Sequence, residues 1–320
     1  KPSSAASDVY KRQNQYAGKA EKKAAGFSST TLTLSCMYNM PMSANSTASI
    51  PSGKTAPKSP GHPLTKTIRS PNRSKDNCGI MPLRHLILLR HGETEFNRAR
   101  RMQGHLDVAL SERGRAQADR VAPVLARKNP LAIISSDAQR AVHTAQAVSD
   151  LCDVPVHLDT RLRETDMGEW TGLDQQEVED HWPGDRPKWR SDPTYAPPGG
   201  ENRLEVARRA MDVVRDLHRD LTSWGEDERP VLLVAHGGTF LALAAALIDS
   251  PLQNYAAFSA LGNTSWSQFT EWPQYFVEAD LDAHPAAAGP RIPAIPPIQP
   301  GYQWRVDVWN STTHLGSDAF

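Results

Sequence analysis

The hydrophobic pattern of the chain from residue 81 onward alternates between short apolar runs and longer segments with apolar positions at helical spacing. Four short apolar runs predict buried strands, at 86–89, 131–135, 154–158 and 231–235. Longer patterned segments predict four helices, at 111–128, 136–151, 201–224 and 240–248. Apolar–polar alternation predicts two further strands nearer an edge of the sheet, at 264–270 and 302–308.

This order of elements is typical of one fold class. Strand and helix alternate through most of the region, which predicts an α/β protein: a three-layer sandwich with a mostly parallel central sheet and helices on both faces. Within it, Pro123 predicts a kink or an early end of the first helix. Ser136, followed three residues later by Gln139, predicts a capping box for the second helix. Residues 182–200 and 284–301 are rich in proline and are predicted to be irregular.

The first eighty residues differ in composition from the rest. They are rich in Ser, Thr, Lys, Asn and Pro with little apolar periodicity, so we expect residues 1–80 to be disordered. Residues 8–13 resemble the translation of an adapter used in sequencing libraries, and Met81 would be a natural start before the first strand. We therefore interpret 1–80 as a non-native extension and 81–320 as the folded domain.

Charge and cysteine content narrow the function of the patterned region. Residues 1–80 carry 12 Lys/Arg and three Asp/Glu, whereas residues 81–320 carry 24 and 33. An acidic domain argues against general nucleic-acid binding, which needs a basic face. No apolar run approaches the roughly 18 residues of a membrane span, so we expect no membrane partner. Only Cys152 of the three cysteines falls in this region, which predicts no disulfide and a reducing, cytoplasmic location.

Two of the predicted strands end in the same chemistry. The first runs into Arg90-His91-Gly92 and the fourth into His236-Gly237-Gly238. Because the carboxyl ends of parallel strands meet at one edge of a sheet, we expect two imidazoles there, next to glycines that let the backbone approach a ligand closely. Arg140 falls in the first turn of the helix after the second strand, where free amides and the helix dipole favour anions.

These groups fit the hydrolysis of a phosphate ester. His91 can attack phosphorus as a neutral imidazole and form a phosphohistidine. Arg90 and Arg140 can hold the phosphoryl oxygens through planar, permanently charged groups, and they disfavour protonation of His91. His236, if protonated, would add positive charge against the phosphoryl group. We therefore expect a phosphate site with its nucleophile built in.

A carboxylic acid must protonate the leaving oxygen and later activate water. Glu164 is the best candidate from its place in the chain, and Asp166 and Glu93 are its rivals. Neither a phosphate-binding loop of the Gly-rich Lys type nor a dinucleotide fingerprint occurs, and a Gly-x-Ser-x-Gly elbow is absent as well. A nucleotide-binding protein and a serine hydrolase are therefore not supported.

The order and spacing of these motifs resemble those of the histidine phosphatase superfamily, which includes phosphoglycerate mutase and its phosphatase relatives. The motifs that carry the resemblance are Arg90–Thr94 with Asn97, Ser135-Ser136 leading to Arg140-Ala141 and Thr144-Ala145, Leu162–Glu164 with Gly168 and Trp170, and His236–Gly238. The resemblance implies a phosphoglycerate mutase-like fold and catalysis without a metal or other cofactor. It implies the following residue roles: His91 as nucleophile, Glu164 as proton donor, Arg90, Arg140 and His236 as the phosphate pocket, and Asn97 as a phosphate or substrate contact.

Further motifs resemble one branch of this superfamily, the glucosyl-3-phosphoglycerate phosphatases of actinobacteria. They are Arg101–Gly104, Thr160–Glu164, Gly199–Glu201, Gly262–Trp266 and Trp304–Asn310. This resemblance implies a small-molecule phosphate ester as substrate, released as glucosylglycerate and phosphate. It places Gln103 in the substrate site, and it leaves a homodimer open. We also expect Gly237 to contact the substrate, because without a side chain its backbone can come close.

Three other functions remain open at this stage. A broad-specificity histidine phosphatase would use the same residues, and a cofactor-dependent phosphoglycerate mutase would share the fold. The stretch Thr165–Trp170 resembles the phosphatase branch rather than the mutases. A phosphate-binding protein without activity would lack the nucleophile, an arginine or the second histidine, and all are present. Three aromatic residues are candidates for stacking on a sugar: Trp170, Trp182 and Trp189.

Overall fold

The structure is a computed structural model that describes residues 83–273 and 302–319. All of them belong to the second of the two compact units into which the chain divides, Ser74–Phe320. The predictions for residues 1–80 and for the proline-rich segment 284–301 lie outside the described residues.

Six strands form one mixed sheet in the order β3-β2-β4-β1-β5-β6. They are β1 (His85–Arg90), β2 (Ala132–Ser135), β3 (Val156–Leu158), β4 (Val231–Ala235), β5 (Trp266–Pro273) and β6 (Tyr302–Ser311). β1 to β4 pair in parallel, whereas β5 pairs antiparallel with both β1 and β6. The mostly parallel sheet is confirmed, with an antiparallel pair of strands at one side.

Seven α-helices lie among the described residues. They are α1 (Glu95–Arg98), α2 (Glu112–Ala126), α3 (Gln139–Cys152), α4 (Gln175–His181), α5 (Asp185–Ser191), α6 (Arg203–Asp220) and α7 (Gly237–Leu247). Side chains of β1 alternate between two cores: Leu86 and Leu88 pack with α6 and α7, while Ile87 and Leu89 pack with α2 and α3. Because helices cover both faces, the three-layer α/β sandwich is confirmed.

Local predictions met different outcomes. Pro123 does not end α2 early, since the helix continues to Ala126. Both Pro123 and Asp119 are exposed, so the Asp119 carbonyl that loses its helical partner can bond to water. The irregular segment predicted over 182–200 contains α5, with Pro187 in its first turn, where a missing N–H costs no helical hydrogen bond.

The capping box predicted for α3 is wrong. The N-cap is Ala138, which has no side-chain acceptor, and the first helical amide, that of Gln139, donates to Oδ1 of Asp107 at 2.8 Å instead. The Ser136 hydroxyl instead lies 2.9 Å from Nε2 of His236.

Among the helices in 83–273 and 302–319, none combines the length and apolarity needed to cross a bilayer.

Candidate active site

The two predicted histidines meet at the carboxyl edge of the sheet. β1 and β4 are parallel neighbours with Arg90 opposite Ala235, so the residues that follow them, His91 and His236, come side by side. Their ring centroids are 5.2 Å apart with an interplanar angle of 61°. Both side chains are buried.

Hydrogen bonding selects one tautomer of His91. Its Nδ1 lies 2.7 Å from the carbonyl oxygen of Gly92, and a carbonyl can only accept. Nδ1 therefore carries the proton, and Nε2 keeps its lone pair. Burial, followed by the charges of Arg90 and Arg140, holds the pKa of His91 well below its ordinary value. The imidazole is thus neutral at neutral pH, as a nucleophile requires.

The two arginines are held by backbone carbonyls. Arg90 donates through Nη1 to the Leu261 carbonyl, and Arg140 donates through Nη1 to that of Leu106 at 2.6 Å and through Nη2 to that of Gly104 at 3.1 Å. Neither forms an ion pair with a side chain at hydrogen-bond distance in the described part of the chain, so their charges remain available to an anion. Arg140 lies in the first turn of α3, as predicted.

Three buried nitrogens around His91 have no hydrogen-bond partner within the described chain. They are Nε of Arg90, Nε of Arg140 and Nδ1 of His236. Buried donors without a partner are costly, so such a cluster indicates a site for a group rich in acceptor oxygens. A phosphoryl group meets that requirement because its charged oxygens accept bonds from guanidinium and imidazole groups. We call these three nitrogens with His91 Nε2 the anion site.

The charge state of His236 differs from the one considered from the sequence. Burial, then Arg140, His91 and Arg90, hold the pKa of His236 well below its ordinary value. Its Nε2 lies 2.9 Å from the Ser136 hydroxyl, which leaves Nδ1 toward the anion site. As a neutral ring it would contribute a hydrogen bond rather than a full charge.

Glu164 reaches this edge from the loop that follows β3. Its Oε2 accepts from the Gly238 amide at 3.1 Å, while Oε1 accepts from the Thr239 amide at 3.1 Å and from the Thr165 amide at 2.8 Å. The first two amides belong to the N-terminus of α7, where the helix dipole favours a carboxylate. The carboxyl group is thereby fixed beside the anion site.

The rival carboxylates are placed differently. Asp166 accepts from the Gly168 amide at 2.9 Å and closes its own turn. Glu93 accepts from the Ser111 hydroxyl at 3.1 Å, at the start of α2. Glu164 lines two cavities that flank the anion site, and neither rival lines them.

The two cavities differ in size and lining. The smaller has a volume of about 150 Å³ and is lined by Arg140, His236 and the charged residues of nearby loops. The larger has a volume of about 410 Å³ and runs from Arg90 and Gly237 to Trp189, Arg203 and Tyr255. Glu164 borders both, which is the position expected of an acid between a phosphoryl group and its leaving group.

The loop before β5 fixes the backbone of Arg90 and His91. The Arg90 amide donates to the Ser265 carbonyl at 3.1 Å. The His91 carbonyl accepts from the Thr264 amide at 3.2 Å and from Asn263 Nδ2 at 3.1 Å. With the Leu261 carbonyl on Arg90, this 261–265 loop holds both residues from the far side of β1.

Two of the three predicted substrate contacts, Asn97 and Gln103, share a hydrogen-bond network through the Thr94 hydroxyl. Asn97 accepts through Oδ1 from Asn263 Nδ2 at 3.1 Å, which links it to the His91 backbone. Gln103 is buried and accepts from the Thr94 hydroxyl at 3.0 Å, one residue before the carbonyl that binds Arg140. At Gly237, a Cβ would lie 3.4 Å from Arg90 Nε, so the backbone here does approach the anion site closely.

Several supporting residues receive no role in the site from the sequence, although Ser136 and Thr144 belong to the motifs that carry the resemblance. Ser136 carried a signal that was read as a helix cap, and Thr144, which accepts from the Gly92 amide at 3.1 Å, looked like helix interior. Arg209 donates to the Arg163 carbonyl at 2.7 Å and to the Glu164 carbonyl at 2.9 Å. It lies on the polar face of α6, where a pattern cannot separate a structural arginine from a solvated one.

The aromatic candidates separate into core and cavity. Trp170 is fully buried and packs with Met167 and Val178, so stacking of Trp170 on a sugar is ruled out in this conformation. Trp182 packs against the same cluster, while Trp189 also lines the larger cavity.

Within the described residues, no group of three or more His, Cys, Asp or Glu side chains is arranged to hold a metal ion.

Known proteins resemble this chain over nearly their full length. A glucosyl-3-phosphoglycerate phosphatase of Mycolicibacterium vanbaalenii is 44% identical over 240 residues, which is 74% of this chain and 99% of that protein. Its counterpart from Mycobacterium tuberculosis is 42% identical over 242 residues, 74% of this chain and 99% of that protein. A solved structure of the mycobacterial glucosyl-3-phosphoglycerate phosphatase with VO3 has a TM-score of 0.61 at 41% identity, covering 72% of this chain and all of that one.

The family follows from the match of the sequence to a known domain. The histidine phosphatase superfamily (branch 1) matches residues 86–281, the stretch that contains both strand-terminal histidines, Arg140 and Glu164. The chain belongs to the histidine phosphatase superfamily.

Proposed function

We propose that this chain is a phosphomonoesterase that hydrolyses glucosyl-3-phosphoglycerate to glucosylglycerate and phosphate through a phosphohistidine. The observation that carries the chemistry is the His91 tautomer: the Nδ1–H donates to the Gly92 carbonyl, so that Nε2 presents a lone pair beside three unpartnered donor nitrogens. The substrate rests on the relatives at 44% and 42% identity, which bear that name over nearly their whole length.

In the first step, the His91 Nε2 lone pair forms a bond to phosphorus as the ester P–O bond breaks. Arg90 and Arg140 stabilise the charge on the equatorial oxygens, and His236 donates through Nδ1 to one of them. Glu164, in its acid form, gives its proton to the leaving oxygen. We assign Asn97 and Gln103, whose side chains bond to Asn263 and Thr94, as substrate contacts.

In the second step, water attacks phosphorus and the N–P bond breaks, which returns the electron pair to His91 Nε2. Glu164, now a carboxylate, removes a proton from the attacking water and so regains its acid form. Phosphate then leaves the anion site, with Gly237 allowing the backbone to stay close to it. Every proton is accounted for without a metal or an organic cofactor.

Two further properties are part of the proposal. Cys152, in α3, is a free cysteine, which fits a reducing compartment, so we place the enzyme in the cytoplasm. The homodimer considered from the sequence remains a prediction, which size-exclusion chromatography with light scattering would measure directly.

Replacing the nucleophile tests the mechanism. His91→Ala should abolish phosphate release from glucosyl-3-phosphoglycerate, because the covalent step is lost. His143→Ala is the matched control, since His143 lies exposed on α3 and should keep full activity. Robust, chelator-resistant hydrolysis by the His91 variant would disprove the phosphohistidine route.

A substrate panel tests the specificity. Wild-type protein treated with chelator would be assayed on glucosyl-3-phosphoglycerate, 3-phosphoglycerate and an aryl phosphate. We expect the highest kcat/KM for the glucosylated ester. Similar slow rates on all three would instead indicate a broad-specificity phosphatase, and isomerisation of 3-phosphoglycerate without phosphate release would indicate a mutase.

A further inference from the structure

Arg203 is a buried cation in the larger cavity. It is the first residue of α6, and its side chain is 6% exposed. Its Nε is buried without a hydrogen-bond partner, and within the described residues no carboxylate forms an ion pair with it. A buried charge normally has a partner, because removing it from water is costly. Arg203 therefore calls for an explanation beyond packing.

Two aromatic rings hold this guanidinium in place. Its central carbon lies 4.1 Å from the Trp189 ring centroid and 5.1 Å from that of Tyr255. Such contacts orient a guanidinium but leave its N–H edge free for an anion. The position of Arg203 in the helix is unfavourable for its positive charge. Arg203 begins an 18-residue helix, and the dipole at a helix N-terminus favours anions over cations.

The nearby carboxylates are already engaged. Glu201, two residues earlier, is held by Arg209 through two bonds of 3.0 and 2.9 Å. Glu164 accepts its three amide hydrogen bonds at the start of α7. Neither acid therefore neutralises Arg203, and the missing negative charge has to come from a molecule that enters the cavity.

The position of the cavity identifies that molecule. Arg90, Glu164 and Arg203 all line this cavity, so a group that leaves from a phosphoryl oxygen held by Arg90 would occupy the same cavity as Arg203. Arg190 also lines this cavity, from an exposed position on α5, and has no ion-pair partner among the described residues. The Tyr255 hydroxyl is buried without a partner and supplies another donor.

We propose that Arg203, assisted by Arg190, binds a carboxylate of the leaving group, so that the enzyme prefers phosphate esters of hydroxy acids to esters of neutral alcohols. This rests on the proposed function, because it assumes that the larger cavity receives the leaving group of a hydrolysed ester. The carboxylate would form charge-assisted bonds to the guanidinium and gain from the α6 dipole. Arg203 is thus a specificity residue rather than part of the phosphate pocket.

A pair of substrates isolates the carboxylate. 3-Phosphoglycerate and glycerol 3-phosphate differ by a carboxylate against a hydroxymethyl group, so their kcat/KM ratio measures its recognition. We expect the wild type to favour 3-phosphoglycerate and Arg203→Leu to raise its KM at least tenfold, with KM for glycerol 3-phosphate nearly unchanged. Arg208→Leu is the matched control, since Arg208 is exposed on the same helix and should leave the ratio unchanged.

Two further measurements cover a variant that fails to fold. Arg190→Leu removes an exposed side chain and should lower the same ratio by a smaller factor. Glycerate should inhibit the wild type competitively, and glycerol should not. An unchanged ratio in Arg203→Leu, or in Arg190→Leu with no inhibition by glycerate, would overturn the carboxylate site while His91-dependent hydrolysis continues. Hydrolysis that survives His91→Ala would instead overturn the proposed function.

Discussion

The Ser136 hydroxyl decides which nitrogen of His236 faces the anion site. Its 2.9 Å contact with Nε2 occupies one side of the ring, so Nδ1 is the nitrogen left for a phosphoryl oxygen. If the hydroxyl donates to Nε2, Nδ1 carries the proton and can itself donate. A single oxygen thereby fixes the orientation of the second histidine and, as the donor, its useful tautomer.

Removing that hydroxyl should impair catalysis without unfolding the protein. In Ser136→Ala we expect kcat/KM to fall about tenfold, the equivalent of one hydrogen bond of about 1.4 kcal/mol, because the ring can then rotate or change tautomer. Ser149→Ala is the control: this serine on α3 donates to the Val154 carbonyl at 2.7 Å, away from the site. Equal activity in both variants would mean that Ser136 does not position His236.

At the scale of residues, the sequence predicts the reactive side chains but not the residues that hold them in position. His91 and His236 were predictable because each follows a buried strand and precedes glycine. The capping prediction for Ser136 is wrong because serine with glutamine three residues later is typical of a helix cap, whereas the partner of Ser136 is 100 residues away. Hydrogen bonds across such separations leave no local pattern.

The start of α7 holds the Glu164 carboxyl group in position. Its first amides bind the Glu164 carboxyl group, and Gly238 allows the carboxyl group to approach the helix. A Cβ at this position would lie 2.5 Å from Glu164 Oε1 and 2.9 Å from Thr165 Oγ1. Both atoms lie at the ends of side chains, so the fold can accommodate the new methyl group by moving them. The Glu164 carboxyl group would then be displaced from its present position.

Gly238→Ala should therefore separate activity from stability. We expect kcat to fall about 100-fold as the carboxyl group shifts, since small misplacements of a catalytic group have effects of that size. The free energy of unfolding should stay the same or rise by up to about 1 kcal/mol, because alanine favours a helix over glycine. Thermal denaturation and steady-state kinetics on the same preparation would measure both.

Gly262→Ala is the comparison for that experiment. Its new methyl group would meet its nearest neighbour at 3.6 Å, an ordinary contact, so kcat should hold. Loss of activity in both variants would implicate general sensitivity to glycine replacement rather than displacement of Glu164.

Strands and helices could be predicted where burial determines the pattern of apolar residues. The parallel strands are short apolar runs because both faces are covered, and the amphipathic α2 and α6 followed from helical spacing. α5 was missed because Pro187 and flanking glycine and proline residues are typical of loops, although proline is tolerated in a first helical turn.

At the scale of the molecule, the two buried histidines connect the site to stability. Burial and neighbouring positive charges lower the pKa of both His91 and His236 in the folded protein. The unfolded chain takes up a proton at each as the pH falls through about 6.5, whereas the folded protein does not. Stability should thus be unaffected above that pH and decrease below it, by up to about 1.4 kcal/mol per pH unit for each histidine.

A variant isolates this contribution from other acid effects. His236→Gln removes one of the two groups, so its unfolding free energy should fall less steeply with pH between 6.5 and 5 than that of the wild type. Other histidines with a lowered pKa, His85 and His314, contribute equally to both proteins and cancel. Denaturant titrations in phosphate-free buffer would give the two slopes, and parallel slopes would contradict the burial argument.

The sheet order was beyond prediction from the sequence. Apolar runs give the strands but not their neighbours, and β1 lies between β4 and β5, both of which come more than 130 residues later. The antiparallel direction of β5 depends on that placement. The alternation of elements was nevertheless sufficient for the layers, since it reflects how much of each surface is buried.

The 261–265 loop determines when an active enzyme first exists during synthesis. The two histidines, Arg90, Arg140 and Glu164 are all translated by the time α7 is complete. The carbonyls and amides that fix Arg90 and His91 come only afterwards, and β5 must then pair with β1 across the growing sheet. We therefore expect a nascent chain that ends at α7 to carry every reactive group and still lack activity, because the contacts that fix Arg90 and His91 form only with its last strands.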